Sequence, residues 1–407
     1  MLLFSLFFAC NDNPNQPEDC IEIEREEISD DVTLSVVDGN RQFAFDLYDQ
    51  LNDGSDSNIF FSPYSISTAI GMLQLGAQGE TESEISEVFH VLENEEDWHT
   101  GQGILTQEMS LIDNCDYQLN TANRAYVQSG FGFEQSYIDG LLSFYDSQAQ
   151  EVDFMSDAEE ARGTINKWVS EQTNDKIPNL FPQGTINGNT RLVLTNAIYM
   201  NAPWSQEFDE GRTSSANFQL EDGQSASIEM MNSDEVNLSV SYQEGFMLVE
   251  IPYKGDELSL NVLIPNAYDG LPEVEAQLNN ENWLNWKSSL YQTEAYLGIP
   301  KMEMRYKKTL NETLQDMGMK QAFESGTANF TGISRNADLF VTTVIHEAYL
   351  KFSEEGTEAA AATGVAVGTE SSVGEYIVLD RPFLFAIEDK MSGSILFMGK
   401  MTDPREL

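Results

Sequence analysis

Basic side chains are scarce in this chain. Its 407 residues hold 21 Lys and Arg against 68 Asp and Glu, a formal net charge of −47. Nucleic acid and heparin-like polymers are held by clustered cations, so both are excluded as partners. The deficit is sharpest in residues 1–120, where Arg25 and Arg41 are the only basic residues beside 25 acidic ones. Cysteine and histidine are rarer still, at three each. Cys10, Cys20 and Cys115 lack C-x-x-C or Cys/His spacing, and His90, His99 and His346 stand alone, so no metal site is expected. Also missing are the G-x-S-x-G elbow, the Walker loop, H-E-x-x-H and G-x-G-x-x-G. No enzyme class and no cofactor therefore has a motif behind it. Paired carboxylates carry no information, because so many acids bring some pair together in almost any fold.

What is present is a core-forming composition, with 41% hydrophobic residues and 28 glycines. A chain of this length buries most of the surface it exposes when unfolded, without disulfides or metal. Residues 1–9 are an apolar run too short to span a bilayer. It ends in Phe7-Phe8-Ala9-Cys10, which resembles a bacterial lipoprotein cleavage site with Cys10 as the lipidated residue. The usual preceding Leu and leading cations are missing. Residues 10–31 are polar and read as a tether, leaving one domain over 32–407. A pairing of Cys20 with Cys115 is conceivable in an oxidising compartment; two separate thiols is the simpler expectation.

Helical spacing dominates the first part of the domain. Phe43, Leu47 and Leu51 share one face, and Ser62-Pro63 closes a short strand at 58–61 and opens a helix with Ile66, Ile70 and Leu73. Thr81 and Glu84 have capping-box spacing before Ile85, Val88 and Phe89. A further helix is predicted over 158–174. From about Arg191 strands prevail, at 191–200, 239–252, 257–264, 294–303, 338–352, 376–379, 383–388 and 394–400, with one helix at 307–317. Helices first and strands later, without β-α-β alternation, predicts a single α+β domain.

Residues 353–376 depart from every other part of the chain. Ser353-Glu354-Glu355-Gly356-Thr357-Glu358 leads into Ala359, Ala360, Ala361 and Ala362, then small and β-branched residues as far as Gly374. A stretch this long without proline, bulky side chain or turn signal tends to be functional. With strand periodicity, one face carries Thr357, Ala359, Ala361, Thr363, Val365, Val367 and Thr369, none charged and none larger than valine. The charges Glu358 and Glu370 fall on the other face. Such a segment is a strand in want of a sheet, and Gly356 at its root is a hinge.

That segment closely resembles the reactive-centre loop of the serpins, the serine protease inhibitors. Other stretches resemble the family in order. They are Asn58-Ile59-Phe60-Phe61-Ser62-Pro63-Tyr64-Ser65-Ile66-Ser67, Gly76-Ala77, Gly79-Glu80-Thr81, Val152-Asp153-Phe154, Ile165-Asn166 and Trp168-Val169. Beyond them come Leu194-Thr195-Asn196-Ala197-Ile198-Tyr199 with Trp204, Ile251-Pro252-Tyr253, Ile264-Pro265, Phe330-Thr331-Gly332-Ile333 and Asp380-Arg381-Pro382-Phe383. Together they cover about 38–404. The resemblance implies a large central mixed sheet, further sheets, eight to nine helices and an exposed loop at about 354–376. It implies that Ser62, Ser65, Asn196 and His346 form the polar shutter of that sheet. Trp204 and Glu354 would lie at its breach, where insertion begins. His346 is then a hydrogen-bonded core residue, not a catalytic one.

By the same resemblance the chain is not an enzyme but a suicide substrate. A serine, or alternatively a cysteine, endopeptidase would attack the loop; the cleaved loop would enter the main sheet behind the hinge, Glu354, Glu355, Gly356, Thr357 and Glu358 with the four alanines, and trap the acyl-enzyme. Counting from Gly356 places the reactive bond at Glu370–Ser371; counting from Pro382 shifts it to Ser371. Glu370 suits a glutamate-preferring protease, while Val367, Gly368 and Thr369 suit elastase-like or subtilisin-like ones. The alternative is a non-inhibitory serpin, a binding module cleaved as a plain substrate. A monomer is expected, exported and lipid-anchored at a bacterial outer membrane or cell surface through Cys10, or otherwise secreted.

Overall fold

The computed structural model describes residues 25–112, 117–335, 338–357 and 375–406. Two sheets form the body. A seven-stranded sheet has the order Met302–Thr309, Val341–Phe352, Gly356–Thr357, Leu192–Pro203, Arg124–Gln128 and Gln150–Val152, with Gln118–Thr121 on the outer side of Leu192–Pro203. It is mixed: Val341–Phe352 and Leu192–Pro203 run parallel and pair directly over most of their length. The nine-stranded sheet runs Ile59–Phe61, Ser394–Met401, Phe383–Asp389, Leu258–Pro265, Phe246–Pro252, Ser225–Tyr242, Tyr291–Pro300 and Glu375–Val378, with Ser214–Gln219 on the long strand Ser225–Tyr242. Nine α-helices surround the sheets among the described residues, which makes the domain α+β.

Burial follows the strand alternation. Phe60, Phe385, Phe397, Phe352, Trp204 and Tyr253 fill the space between the sheets. On the other face of the seven-stranded sheet, Ala158–Gln172 buries Ile165 and Val169 against Tyr126, Val193, Ala197 and Ile345. Residues next in sequence to Val193, Ala197 and Ile345 point the opposite way, as the twofold period of a strand requires. That is how Asn196 and His346 come to face the helix Pro63–Gln74. Ser62 caps this helix, accepting a hydrogen bond from the Ser65 amide, and Pro63 takes the first-turn position that needs no amide hydrogen.

Several expectations need correction. The tether expected over 10–31 is already part of the body at Arg25, whose side chain is buried, and Asp30 caps the helix Asp31–Leu51. The cap of Glu80–Val88 is Gly79, whose amide donates to Glu82. Thr81 instead accepts from the Asn329 amide, and Glu84 accepts from the Lys320 and Gln321 amides, so the pair splices two distant elements. The run 239–252 is two strands, because Gly245 takes a left-handed φ of 92° in a hairpin turn. Likewise 294–303 divides at Lys301 into Tyr291–Pro300 and Met302–Thr309. The helix expected at 307–317 begins only at Asn311, since Lys307 and Lys308 still pair with Glu347 and His346 in the sheet. Leu271–Glu275 and Asn280–Ser288 are further helices among the strands; tryptophans 283 and 286 anchor the second.

Candidate functional site

Gly356–Thr357 lies between Val341–Phe352 and Leu192–Pro203 where these two strands part. It is antiparallel to both, pairing Thr357 with Phe352 on one side and with Ala202 on the other. Thr357 is fully buried. Its hydroxyl shares a hydrogen bond of 2.8 Å with Tyr253, whose ring stacks on Trp204 at 4.8 Å. A Cβ on Gly356 would collide with the Ala202 carbonyl oxygen and Pro203 Cα, so only glycine fits this passage between strands. The Ser353 amide and hydroxyl both donate to the Gly356 carbonyl and close a tight turn before it.

The same turn is held from outside by Trp204 and its neighbours. The Trp204 indole donates to the Ser353 carbonyl at 2.9 Å, its amide donates to the Glu355 carbonyl, and the Phe208 amide donates to that of Glu354. The Glu354 side chain, 6% exposed, takes Lys301 at 2.8 Å and the Thr213 hydroxyl at 2.7 Å. Burial pushes its carboxyl up, but the bonds from Lys301 and Thr213 prevail and hold it below its ordinary value. Desolvation likewise raises the Tyr253 hydroxyl, which stays neutral.

A second polar cluster lies midway down the parallel pair. His346 and Asn196 are register partners and are hydrogen-bonded side chain to side chain. The Ser62 amide donates to His346 Nε2 at 3.1 Å, which assigns the proton to Nδ1, facing Asn196 Oδ1. Asn196 donates on to Ser65 Oγ at 2.8 Å and Asn123 Oδ1 at 3.0 Å, and the Ser62 hydroxyl donates to the Leu396 carbonyl. Complete burial drives the His346 imidazole down to about 3, so it is neutral near pH 7. No hydroxyl is bonded to the imidazole, whose Nε2 takes the Ser62 amide and whose Nδ1 faces Asn196, and Ser62, Asn196 and His346 are buried. It fastens two strands; it does not catalyse.

Ser62, Ser65, Asn196 and His346 thus meet in one network, and Trp204, Glu354, Glu355, Gly356 and Thr357 meet in another at its upper end. Glu358, Ala359, Ala360, Ala361 and Ala362, the bond candidates Val367, Gly368, Thr369, Glu370 and Ser371, and the three cysteines including Cys10 lie outside the described residues. Reading the sequence did not single out Asn123, Phe208, Thr213 or Lys301. Neither Lys301, one of four basic residues over 301–308, nor Asn123 stood out from its surroundings. Among the described residues no group of three or more His, Cys, Asp or Glu could hold a metal. No helix there is long and apolar enough to cross a membrane.

An α+β body whose seven-stranded sheet is parted at one end by Gly356–Thr357, with a buried polar cluster midway down the parallel pair, defines the class of fold. Residues 38–404 match the family model for serpin, serine protease inhibitor. Human serpin B13 is 36% identical over 384 residues, covering 89% of this chain and 98% of the relative. The leukocyte elastase inhibitor of Xenopus laevis is also 36% identical, with 89% and 97% covered. The solved structure of uncleaved ovalbumin superposes with a TM-score of 0.83 at 27% identity, covering 91% of this chain and all of that one. The chain belongs to the serpin family, and so to a family of protease inhibitors, not of enzymes.

Proposed function

We propose that this serpin is inhibitory and traps its target as a covalent acyl-enzyme. The observation that supports this most directly is the seated hinge. Gly356–Thr357 is already antiparallel to both neighbours, the direction any strand arriving from the loop must take. In the trapping step the protease hydroxyl or thiol adds to the carbonyl of the scissile residue, the amide bond breaks as an ester or thioester forms, the hydroxyl or thiol proton passes to the leaving amine, and that amine heads the C-terminal segment, whose strands stay in the nine-stranded sheet. The ester stays on the loop. Residues beyond Thr357 then follow it between Val341–Phe352 and Leu192–Pro203, displacing the direct pairing of those strands and opening the His346–Asn196 contact. Each inserted residue gains ladder hydrogen bonds on two sides, and the uncharged face 359–369 is the one to be buried. A charge on that face would carry a desolvation cost of several kcal/mol, and the sequence has none there.

The targets we infer are endopeptidases that cut at Glu370–Ser371 or at its small neighbours Val367, Gly368 and Thr369. Glutamate-preferring, elastase-like and subtilisin-like proteases are the first to try. We infer export with lipidation at Cys10, checked by loss of radiolabelled palmitate incorporation in Cys10→Ala. The central test is incubation with the three protease types, followed by a denaturing gel and mass spectrometry of the released C-terminal peptide. A complex of protease plus inhibitor, less that peptide, is expected. Complete cleavage by every protease with no complex would overturn the reading and favour a binding module instead.

A further inference from the structure

Arg25 is buried in a protein whose N-terminal residues were expected to be a solvated tether. Its side chain and that of Asp389 are both 0% exposed and form a two-pronged pair, Nη1 to Oδ1 at 2.8 Å and Nη2 to Oδ2 at 3.1 Å. Nη1 also meets Glu257 at 3.3 Å and Nε meets Glu108 at 3.4 Å. Burial alone would lower the pKa of the guanidinium, but Asp389 and Glu257 together outweigh it and hold it above its ordinary value, charged. Three residues on, the Ile28 amide donates to the Met391 carbonyl at 2.9 Å. The segment before the first helix is therefore docked on two turns, 253–258 and 389–394.

Those turns lead to the hinge. The Lys390 amide donates to the Glu257 carbonyl, which ties the two together. Within the first, the Tyr253 amide donates to Leu258, and the Lys254 amide donates to the Pro203 carbonyl on the strand that pairs with Gly356. Tyr253 in turn presents its hydroxyl to Thr357. The path runs from Arg25 to the Glu257 carboxylate, along the backbone to Leu258, whose carbonyl takes the Tyr253 amide, and from the Tyr253 hydroxyl to Thr357.

We propose that Arg25 is a positioning residue for loop insertion: by fixing the 253–258 turn it holds Tyr253 where Thr357 must seat. This rests on the insertion reading above. Physically, the role is preorganisation. With the turn fixed, Tyr253 is ordered in advance and keeps Thr357 seated for the residues that follow; with the turn free, the entropy of ordering Tyr253 opposes that seat.

The test uses the full chain and two readouts. Arg25→Met alone would strand a buried carboxylate, so it is paired with Asp389→Asn; Arg25→Lys is the conservative variant, and Tyr253→Phe supplies a double-mutant cycle. Amide exchange of the 352–357 peptide is measured without protease, and moles of inhibitor consumed per mole of protease are measured with it. In the Arg25→Met/Asp389→Asn protein, exchange at the hinge and inhibitor consumption should each rise about fivefold, the worth of one hydrogen bond. Arg25→Lys should restore most of both, and combining the Tyr253→Phe change should add little. Unchanged hinge exchange, or additive effects with Tyr253→Phe, overturns the positioning role whatever inhibition does. Raised exchange in a chain whose wild type forms no complex with any protease overturns insertion as its purpose and the inhibitory reading with it.

Discussion

Replacing Thr357 by arginine bears most directly on how the loop works. The threonine is fully buried, its backbone is paired to strands on both sides, and its hydroxyl meets Tyr253 at 2.8 Å beneath the Trp204 ring. Glu354, three residues back, is already engaged by Lys301 and Thr213. A guanidinium there would be buried without a partner, at a cost on the order of 3 kcal/mol even after relaxation. The chain avoids that cost by withdrawing the hinge, so the barrier to insertion rises by about that amount and insertion slows roughly a hundredfold. Deacylation by water is a property of the protease and does not change. The acyl-enzyme then hydrolyses before the strand is in place, and Thr357→Arg becomes a substrate. Thr357→Val removes only the hydroxyl and should keep trapping, with a few-fold loss. The assay is a titration of residual protease activity against inhibitor, read beside a denaturing gel. A stoichiometric, gel-stable complex with Thr357→Arg would refute the reasoning, because a buried uncompensated charge cannot be tolerated in the first inserted position.

Gly356→Ala should expel the hinge from the sheet without any charge, since its Cβ meets the Ala202 carbonyl and Pro203 Cα; overpacking of about 1–3 kcal/mol should appear as raised amide exchange at Thr357 and a lower yield of complex. Lys301→Ala leaves Glu354 with Thr213 as its remaining side-chain partner, so its carboxyl should titrate higher by NMR and the native state should lose about 1 kcal/mol, modest because Lys301 is partly exposed. Acid should loosen the native fold through His346: the imidazole is held at about 3 when folded against an ordinary 6.5, so the unfolded chain binds the proton first and stability falls as pH drops from about 6.5 toward 3. Its ceiling is roughly 5 kcal/mol, and urea midpoints measured across that range should flatten in His346→Gln.

Legibility in the sequence divided along physical lines. Features that depend on local pattern were readable: the Ser62-Pro63 helix start and most of the strand runs punctuated by Gly, Asn and Pro. Elements whose signal is interrupted by special backbone geometry were not. Gly245 and Lys301 each divide what reads as one strand run, and the Thr81–Glu84 spacing suggested a local cap although both side chains bind Asn329, Lys320 and Gln321 far away in sequence. Long-range polar contacts left even less trace. His346 and Asn196 were singled out through resemblance, while Asn123 and Arg25 had neither a motif nor a pattern, because what defines them is a partner 73 and 364 residues distant.

The distribution of polar groups along the parallel pair has a further physical meaning. On the face that carries His346 and Asn196, the flanking positions Val344, Ala348, Leu194 and Ile198 are apolar, and such side chains adapt by small shifts when a strand intervenes. A hydrogen-bonded histidine and asparagine do not adapt: the contact is either made or broken, and a broken one buries a polar group unsatisfied until a new partner arrives. Placed midway, such a contact raises the barrier to separation while leaving the upper end, where Thr357 already sits, free to begin. An apolar replacement of both, such as His346→Leu/Asn196→Val, would remove the all-or-none step, and strands that can part gradually should let the loop enter without cleavage. Spontaneous conversion to a non-inhibitory form at 37 °C, followed as loss of trapping capacity over time, should therefore accelerate in that pair; conversion as slow as in the parent would place the barrier elsewhere in the sheet.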